Sequence, residues 1–137
     1  MAFLLDTNIL SELRKERRCA PGVMRWYEAT PAESLFTSVL VMGELRLGVE
    51  ILRKRDAVTA RILEKWLLNL EVVYHQRILP ITGEITDIWG RLSIDSRLPE
   101  IDALLAATAL HHGLTLVTRN TRDIARSGVD CLNPFAE

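Results

Sequence analysis

Short apolar runs alternate along the chain with longer segments in which apolar residues recur at helical spacing. The runs Ala2 to Leu5, Ser34 to Thr37 and Ile78 to Ile81 are short and largely apolar, so they predict buried strands. The segments 39–53 and 57–73 show the helical spacing and predict two long helices. This alternation predicts an α/β fold with a small, mainly parallel sheet of four to five short strands flanked by helices.

The pattern is clearest over residues 99–124, which predict a helix, a turn, a strand and a second turn. Gly113 suits the left-handed position that ends a helix. Leu114 to Val117 is apolar and partly β-branched, which is typical of a buried strand. Asp102 then falls in the first helical turn, and Asp123 falls just past the carboxyl end of the strand. In open α/β sheets that end is where ligand sites form.

Two further carboxylates follow predicted strands. Asp6 ends the first strand, and either Thr7 or Asn8 is a plausible N-cap for the helix that follows. Glu44 lies in the apolar helix over 39–53, where a glutamate is either on the solvent face or functional. Each acid also has a simpler interpretation, because carboxylates cap helices and complement the helix dipole.

Two glycines flank Glu44 in the same predicted helix, Gly43 and Gly48. Each costs roughly 1 kcal/mol relative to alanine inside a helix. We therefore expect another part of the molecule to pack closely against this helix at these positions.

Composition limits the classes of protein to consider. The 137 residues suffice for one domain, 1–137, and a hydrophobic share of 48% is typical of globular chains. The net charge of −1 means that any nucleic-acid contact must use local patches of Lys and Arg. Cys19 and Cys131 lack metal-ligand spacing and suit a reducing, cytoplasmic environment. The longest uncharged stretch, Ala103 to Thr118, is too short to span a bilayer, so no membrane partner is expected.

The four carboxylates can converge at one edge of a parallel sheet. Carboxylates that share a cleft repel one another unless a cation neutralises them. A set of oxygen ligands without Cys or His favours Mg²⁺ or Mn²⁺ over Zn²⁺. Such an ion could lower the pKa of a bound water and stabilise charge on a phosphoryl oxygen.

Motifs for other chemistries are missing from the sequence. No G-x-G-x-x-G follows the first predicted strand, and no G-x-x-x-x-G-K-[ST] occurs anywhere, which disfavours dinucleotide and P-loop sites. His75, His111 and His112 show neither zinc nor catalytic-triad spacing. The serines lack a G-x-S-x-G setting.

Four segments, in order, resemble the acidic motifs of the PIN domain, and most closely those of the VapC/FitB type of bacterial toxin. They are Leu4–Glu12, Thr37–Val49, Asp102–Ala109 and Leu116–Asp123. The resemblance covers nearly the whole chain, and four motifs in order are more specific than any one alone. One departure is Ile124, where an aromatic residue is common in the family; it leaves the acids intact.

The resemblance implies a Mg²⁺-dependent endoribonuclease, with Mn²⁺ able to substitute, that hydrolyses RNA phosphodiester bonds with a metal-activated water. The implied catalytic and metal-binding set consists of Asp6, Glu44, Asp102 and Asp123. Thr7 and Asn120 would be supporting polar groups. Arg46, Arg119 and Arg122 are candidates for phosphate contact, although each could equally be a solvated surface arginine.

The resemblance further implies a toxin that acts as a homodimer and is bound by a cognate antitoxin protein. Apolar residues of the helices over 9–27 and 57–73, including Trp26, Tyr27 and Trp66, could leave a groove that takes an antitoxin helix. Two alternatives stay open from the sequence: a non-catalytic PIN-fold module that binds RNA or protein, and a metal-dependent DNA nuclease or phosphatase.

Overall fold

A computed structural model describes residues Met1–Ala136 and contains one parallel sheet of five short strands. The strands are β1 (Phe3–Leu5), β2 (Leu35–Ser38), β3 (Ile78–Leu79), β4 (Thr115–Val117) and β5 (Cys131–Leu132). Their order across the sheet is β3-β2-β1-β4-β5, and every neighbouring pair is parallel. The predicted small, mainly parallel sheet is therefore confirmed.

Seven α-helices in the described part of the chain flank this sheet. They are α1 (Thr7–Leu13), α2 (Pro21–Ala29), α3 (Val39–Arg53), α4 (Ala57–Val73), α5 (Gly83–Ser96), α6 (Glu100–His112) and α7 (Thr121–Ile124). The predicted bounds of α3 and α4 agree with the structure. The ends of the strands are less regular, because strands of two to four residues leave little apolar pattern to read.

The central strand and the helix α6 form the middle of the core. Leu4 and Leu5 of β1 are fully buried, and so are Ala106 and Ala107 of α6. Alanine side chains let this helix approach closely, and its buried residues lie on more than one face, so it is enclosed on several sides. Gly113 ends α6 in the left-handed region at φ 66°, as predicted.

Two local predictions are refined by the structure. The N-cap of α1 is Asp6 itself, so neither Thr7 nor Asn8 fills that position. Asp123, predicted just past the carboxyl end of its strand, lies within the helix α7, which begins at Thr121. The run of polar residues after each strand offers several possible caps, and sequence alone could not choose between them.

The expectation for the two glycines of α3 is also wrong. A Cβ built on Gly43 or on Gly48 meets no atom within 4 Å, and both residues are exposed. Within residues 1–136, no close packing partner explains these glycines.

None of the helices in residues 1–136 is long and apolar enough to cross a membrane.

Candidate active site

The strand order reverses at the centre of the sheet: β2 and β3 lie on one side of β1, and β4 and β5 lie on the other. The strand β1 lies between β2, which follows it in the chain, and β4, which comes much later. A crevice opens at the carboxyl ends of two such strands. Asp6 follows β1 and Thr118 follows β4, so both residues lie at this point. The topology thus brings together two polar groups that are far apart in sequence.

Asp6 is held tightly in this crevice. It is 6% exposed, and its Oδ1 accepts a hydrogen bond of 2.7 Å from the backbone N–H of Thr7. Its Oδ2 accepts one of 2.7 Å from the hydroxyl of Thr118 and a longer one of 3.3 Å from the amide of Asn8. The same side chain caps α1, so the helix N-terminus also stabilises its charge. The two interpretations of Asp6, cap and site residue, are therefore compatible.

Glu44 is tied to the same corner through Thr7. The hydroxyl of Thr7 donates a hydrogen bond of 2.6 Å to Oε1 of Glu44. Glu44 is half-buried, on the third helix, and this bond joins α3 to the start of α1. The solvent-face interpretation of Glu44 therefore does not hold. The supporting role that the resemblance implies for Thr7 stays a prediction, and its hydroxyl is placed to orient Glu44.

Asp102 lies in the first turn of α6, as predicted, and is half-buried. Its burial raises its pKa above the usual value, and the charges of Asp6, Glu44 and Asp123 raise that pKa further. These are the other three acids of the predicted set, so all four carboxylates converge closely enough to interact electrostatically. Asp123 is the exposed member, on α7 at the rim.

The donor set suits a hard divalent cation, because it consists of carboxylate and hydroxyl oxygens. Within residues 1–136, however, no three acidic, His or Cys side chains are arranged to bind a single ion directly. The raised pKa of Asp102 indicates that the other three acids lie near it. The absence of a three-ligand group within residues 1–136 indicates that these acids are not arranged to bind one ion directly. Mg²⁺ usually binds through one or two carboxylates and keeps several waters, so the looser arrangement fits this ion.

The three candidate arginines differ in their surroundings. Nη1 of Arg46 lies 2.6 Å from Glu64 of α4 and 3.1 Å from Glu50 of its own helix α3, so two ion pairs already bind it. Arg119 and Arg122 are exposed, directly after β4 and in α7 respectively. A phosphate contact by any of them stays a prediction, and Arg46 is the least suited of the three.

Sequence reasoning missed two residues of this site, Thr118 and Asn8. Thr118 is fully buried; its hydroxyl donates to Asp6 and accepts a hydrogen bond of 3.1 Å from the backbone N–H of Asn120. The Asn8 side chain accepts a hydrogen bond of 3.1 Å from the backbone N–H of Arg119. A signal was available for Thr118, because it is the first polar residue after a buried strand. Asn120 itself is exposed, and its side chain does not cap α7.

A separate apolar groove of about 200 Å³ lies between α1, α2 and α4. Its lining residues are Leu10, Leu13, Met24, Tyr27, Trp66, Asn69, Leu70, Val73 and Tyr74. The sequence predicted an uncovered groove between these helices, and two of the three aromatic residues named for it, Tyr27 and Trp66, line it. The third, Trp26, packs edge-on against Phe3 of β1 instead, with ring centroids 5.2 Å apart.

Residues 3–128 match the model of the PIN domain family. The chain belongs to the PIN domain family. Its central β1, with Asp6 at the carboxyl end, and its α6, with Asp102 in the first turn, are the parts that carried the resemblance in the sequence. The predicted family is thus confirmed.

Comparison with individual proteins shows which members of the PIN domain family this chain resembles. The chain is 30% identical over 140 residues to the VapC ribonuclease Y4jK of Sinorhizobium fredii, covering 97% of each chain. It superposes on the crystal structure of FitAcB from Neisseria gonorrhoeae with a TM-score of 0.90, 28% identity, and coverage of 98% of this chain and 99% of that one. A toxin-antitoxin complex from Klebsiella pneumoniae gives a TM-score of 0.67 and 29% identity, covering 98% of both chains.

Proposed function

We propose that this protein is a Mg²⁺-dependent endoribonuclease and the toxin of a toxin–antitoxin pair. The observation that carries the proposal is the convergence of Asp6, Glu44 and Asp123 around Asp102 at the switch point of the sheet. Four carboxylates that share a crevice need a cation, and RNA phosphates could not approach them without one. The likeness to a VapC ribonuclease gives the substrate class.

In this proposal Asp6 and Asp102 hold the ion, with Mn²⁺ able to substitute, and Glu44 and Asp123 complete the set. When bound, the ion supplies a water of lowered pKa and neutralises charge on the phosphodiester. The chain's own task is orientation. Thr118 fixes Oδ2 of Asp6, while Thr7 binds Oε1 of Glu44 and leaves Oε2 to accept a hydrogen bond from the attacking water.

The test is incubation of the purified protein with total RNA, with Mg²⁺ and with EDTA, followed by mapping of the new RNA ends. We expect discrete cuts with Mg²⁺ or Mn²⁺ and none with EDTA. Cleavage of double-stranded DNA in place of RNA would support the nuclease alternative, and cleavage in EDTA would exclude the metal-dependent chemistry.

We further propose that the groove between α1, α2 and α4 takes an apolar helix of the antitoxin. The groove is lined by large apolar side chains, which is typical of helix-in-groove recognition. The solved relative from Klebsiella pneumoniae is a toxin-antitoxin complex. Val73→Lys places a charge in the groove at a side chain that is 49% exposed. It should abolish copurification of a protein encoded beside this one and leave RNA cleavage unchanged.

A homodimer is proposed from the α3–α4 hairpin. Leu47 and Ile51 are 59% and 57% exposed one turn apart on α3, and Val58 and Ile62 are 74% and 65% exposed one turn apart on α4. Exposed apolar residues at this density suit an interface between copies. Light scattering should give a dimer for the wild type and a monomer for the Ile51→Glu variant.

A further inference from the structure

Arg119 is exposed, yet three contacts from two distant parts of the chain fix it. Its backbone N–H donates to Oδ1 of Asn8 at 3.1 Å, and its carbonyl accepts from Nδ2 of Asn133 at 3.4 Å. Its guanidinium carbon lies 4.5 Å from the centroid of the Phe135 ring, well within the range of a cation–π contact. These three contacts fix the position of Arg119, which is not required of a surface arginine that only keeps the protein soluble.

The segment that carries the Phe135 ring is itself anchored. Pro134 is buried, and the 3₁₀ turn Pro134–Ala136 packs against α2. The Asn133 side chain accepts a hydrogen bond of 3.0 Å from the backbone N–H of Phe135, which fixes the start of the turn. The ring is therefore a rigid base, and the guanidinium above it loses less freedom when it binds a ligand.

The position of Arg119 relates it to the acidic site. It follows Thr118, whose hydroxyl binds Asp6, and its N–H is bonded to Asn8, whose amide also reaches Asp6. It stands at the rim of the crevice where the four carboxylates converge.

The charge of Arg119 is available to a ligand. Within residues 1–136 its guanidinium forms no ion pair shorter than 4.0 Å, in contrast to Arg46. Arg119 contributes slightly to lowering the pKa of Glu12, but that carboxylate is already bound by Lys15 at 2.9 Å and by the backbone N–H of Ala20 at 2.8 Å. Stacking uses one face of the guanidinium and leaves its in-plane N–H groups free to donate to a phosphate oxygen.

We propose that Arg119 binds an RNA phosphate beside the acidic site, and that Phe135 and Asn133 are the positioning residues that hold it there. This inference rests on the proposed ribonuclease function, because it takes RNA as the ligand. A fixed cation at the rim offsets the repulsion between the RNA backbone and the carboxylates, and the C-terminal segment thereby becomes part of the substrate site.

The test measures binding of a short labelled RNA to the Asp102→Asn protein, and cleavage kinetics in the otherwise wild-type protein. Arg119→Gln should weaken binding about tenfold and reduce the magnitude of the slope of log K against log salt by roughly 0.7, the value for one phosphate contact on a single strand. Phe135→Leu should weaken binding about two- to fivefold, and Phe135→Tyr should restore it, since a phenol ring also stacks on a guanidinium.

Three readouts separate positioning from mere structural support. Phe135→Leu should raise KM and change kcat by less than about twofold. In the Arg119→Gln background, Phe135→Leu should have no further effect on binding, whereas a purely structural role would make the two losses additive. Arg91→Gln is the matched loss of one positive charge, because Arg91 is 82% exposed and pairs only with Asp87 of its own helix; it should leave binding unchanged.

The outcomes distinguish this inference from the proposed function. If the wild type cleaves RNA and Phe135→Leu or Arg119→Gln binds as tightly as its parent, the inference is wrong and the ribonuclease function stands. If the wild type does not cleave RNA but binding depends on Arg119 and Phe135 as described, the function fails and the contact is supported. If the protein does not bind RNA, both are overturned.

Discussion

The two halves of the acidic site are built differently. Asp6 and Glu44 are held by hydrogen bonds from Thr118, Asn8 and Thr7. Asp102 and Asp123 face the same crevice, but within residues 1–136 no hydrogen bond reaches either carboxylate. We call the first pair the held half of the site and the second pair the open half.

The difference indicates when each half becomes ordered. The held half is fixed by folding itself, because its partners are a helix N-terminus, the buried hydroxyl of Thr118 and the half-buried hydroxyl of Thr7. Within residues 1–136 no cation or hydrogen-bond donor balances the charge of the open half, and burial, together with the charges of the neighbouring acids, raises the pKa of Asp102. A bound cation would supply the missing balance, so the open half should respond to metal much more than the held half.

The largest expected effect is on cleavage. Asp102→Asn should lower kcat by at least about 100-fold, because it removes a charged oxygen from the proposed metal set. The apo protein should melt at the same or a higher temperature, since like-charge repulsion is relieved. Scanning calorimetry in EDTA checks the second part, and a melting temperature several degrees lower would mean that Asp102 is a structural cap.

The held half should give the opposite stability result. Asp6→Asn should also abolish cleavage, but it should lower the free energy of unfolding by roughly 1 to 3 kcal/mol, because one oxygen that accepts two hydrogen bonds becomes a donor. Urea unfolding of the two apo variants makes the comparison directly. Equal stability changes would show that the two halves are not different.

Thr118→Val tests the support of the held half without touching an acid. The variant should unfold about 1 to 3 kcal/mol more easily, because Oδ2 of Asp6 keeps only its longer hydrogen bond from Asn8 and the N–H of Asn120 loses the hydroxyl that accepts from it. Thr108→Val is the matched control: this threonine is equally buried, but its hydroxyl binds only the carbonyl of Leu104 in its own helix. A similar loss in both variants would remove any special role for Thr118.

The pH dependence of stability tests the raised pKa of Asp102 in the open half. Because the folded pKa of Asp102 lies above its unfolded value of about 3.9, the stability that its protonated form contributes is fully present below that value. That stability is lost as pH rises through the folded pKa. The asparagine of the Asp102→Asn variant does not ionise. The free energy of unfolding of this variant should therefore equal that of the wild type near pH 3.5 and should exceed it increasingly as pH rises toward 7. Urea unfolding in EDTA across this range measures it, and an advantage that shrinks with rising pH would contradict the assignment.

A stabilising substitution outside the acidic site serves as a control for a purely structural change in the free energy of unfolding. Gly90→Ala should raise the free energy of unfolding by about 0.5 to 1 kcal/mol, since this glycine sits in α5, outside the proposed dimer face, with open space around its Cβ position. The melting temperature of the variant should rise equally with and without Mg²⁺. Destabilisation would mean that the face of α5 at Gly90 is covered in solution.

The sequence predicted the parts of the fold that have long or repeated signals. Helical spacing predicted the bounds of α3 and α4, and the apolar runs predicted β1 to β4 to within one or two residues. Asp6, Asp102 and Asp123 were candidates because each follows a strand or begins a helix, and Glu44 was a candidate because it interrupts an apolar helix. The hydrogen-bond network was not found, because a hydroxyl after a strand, such as that of Thr118, is common. Only the strand order, which the local pattern does not encode, places it against Asp6.

The contact between the C-terminal segment and Arg119 could not be predicted from the sequence either. Nothing in the run Asn133–Phe135 indicates that it returns to the rim of the acidic crevice, since that contact depends on β5 pairing with β4. The apolar exposure on α3 and α4 is a related case. Periodicity places residues on a face, but whether a second copy covers that face is not a property of one chain.

The most direct test of a cation site shared by the two halves is Mn²⁺ binding followed by electron paramagnetic resonance of the free ion. We predict that the wild type binds Mn²⁺ and that Mg²⁺ competes for the same site. Asp6→Asn and Asp102→Asn should each weaken Mn²⁺ binding at least about tenfold. Equal Mn²⁺ affinity in the wild type and the Asp102→Asn variant would contradict it, because the open half would then have no part in holding the ion.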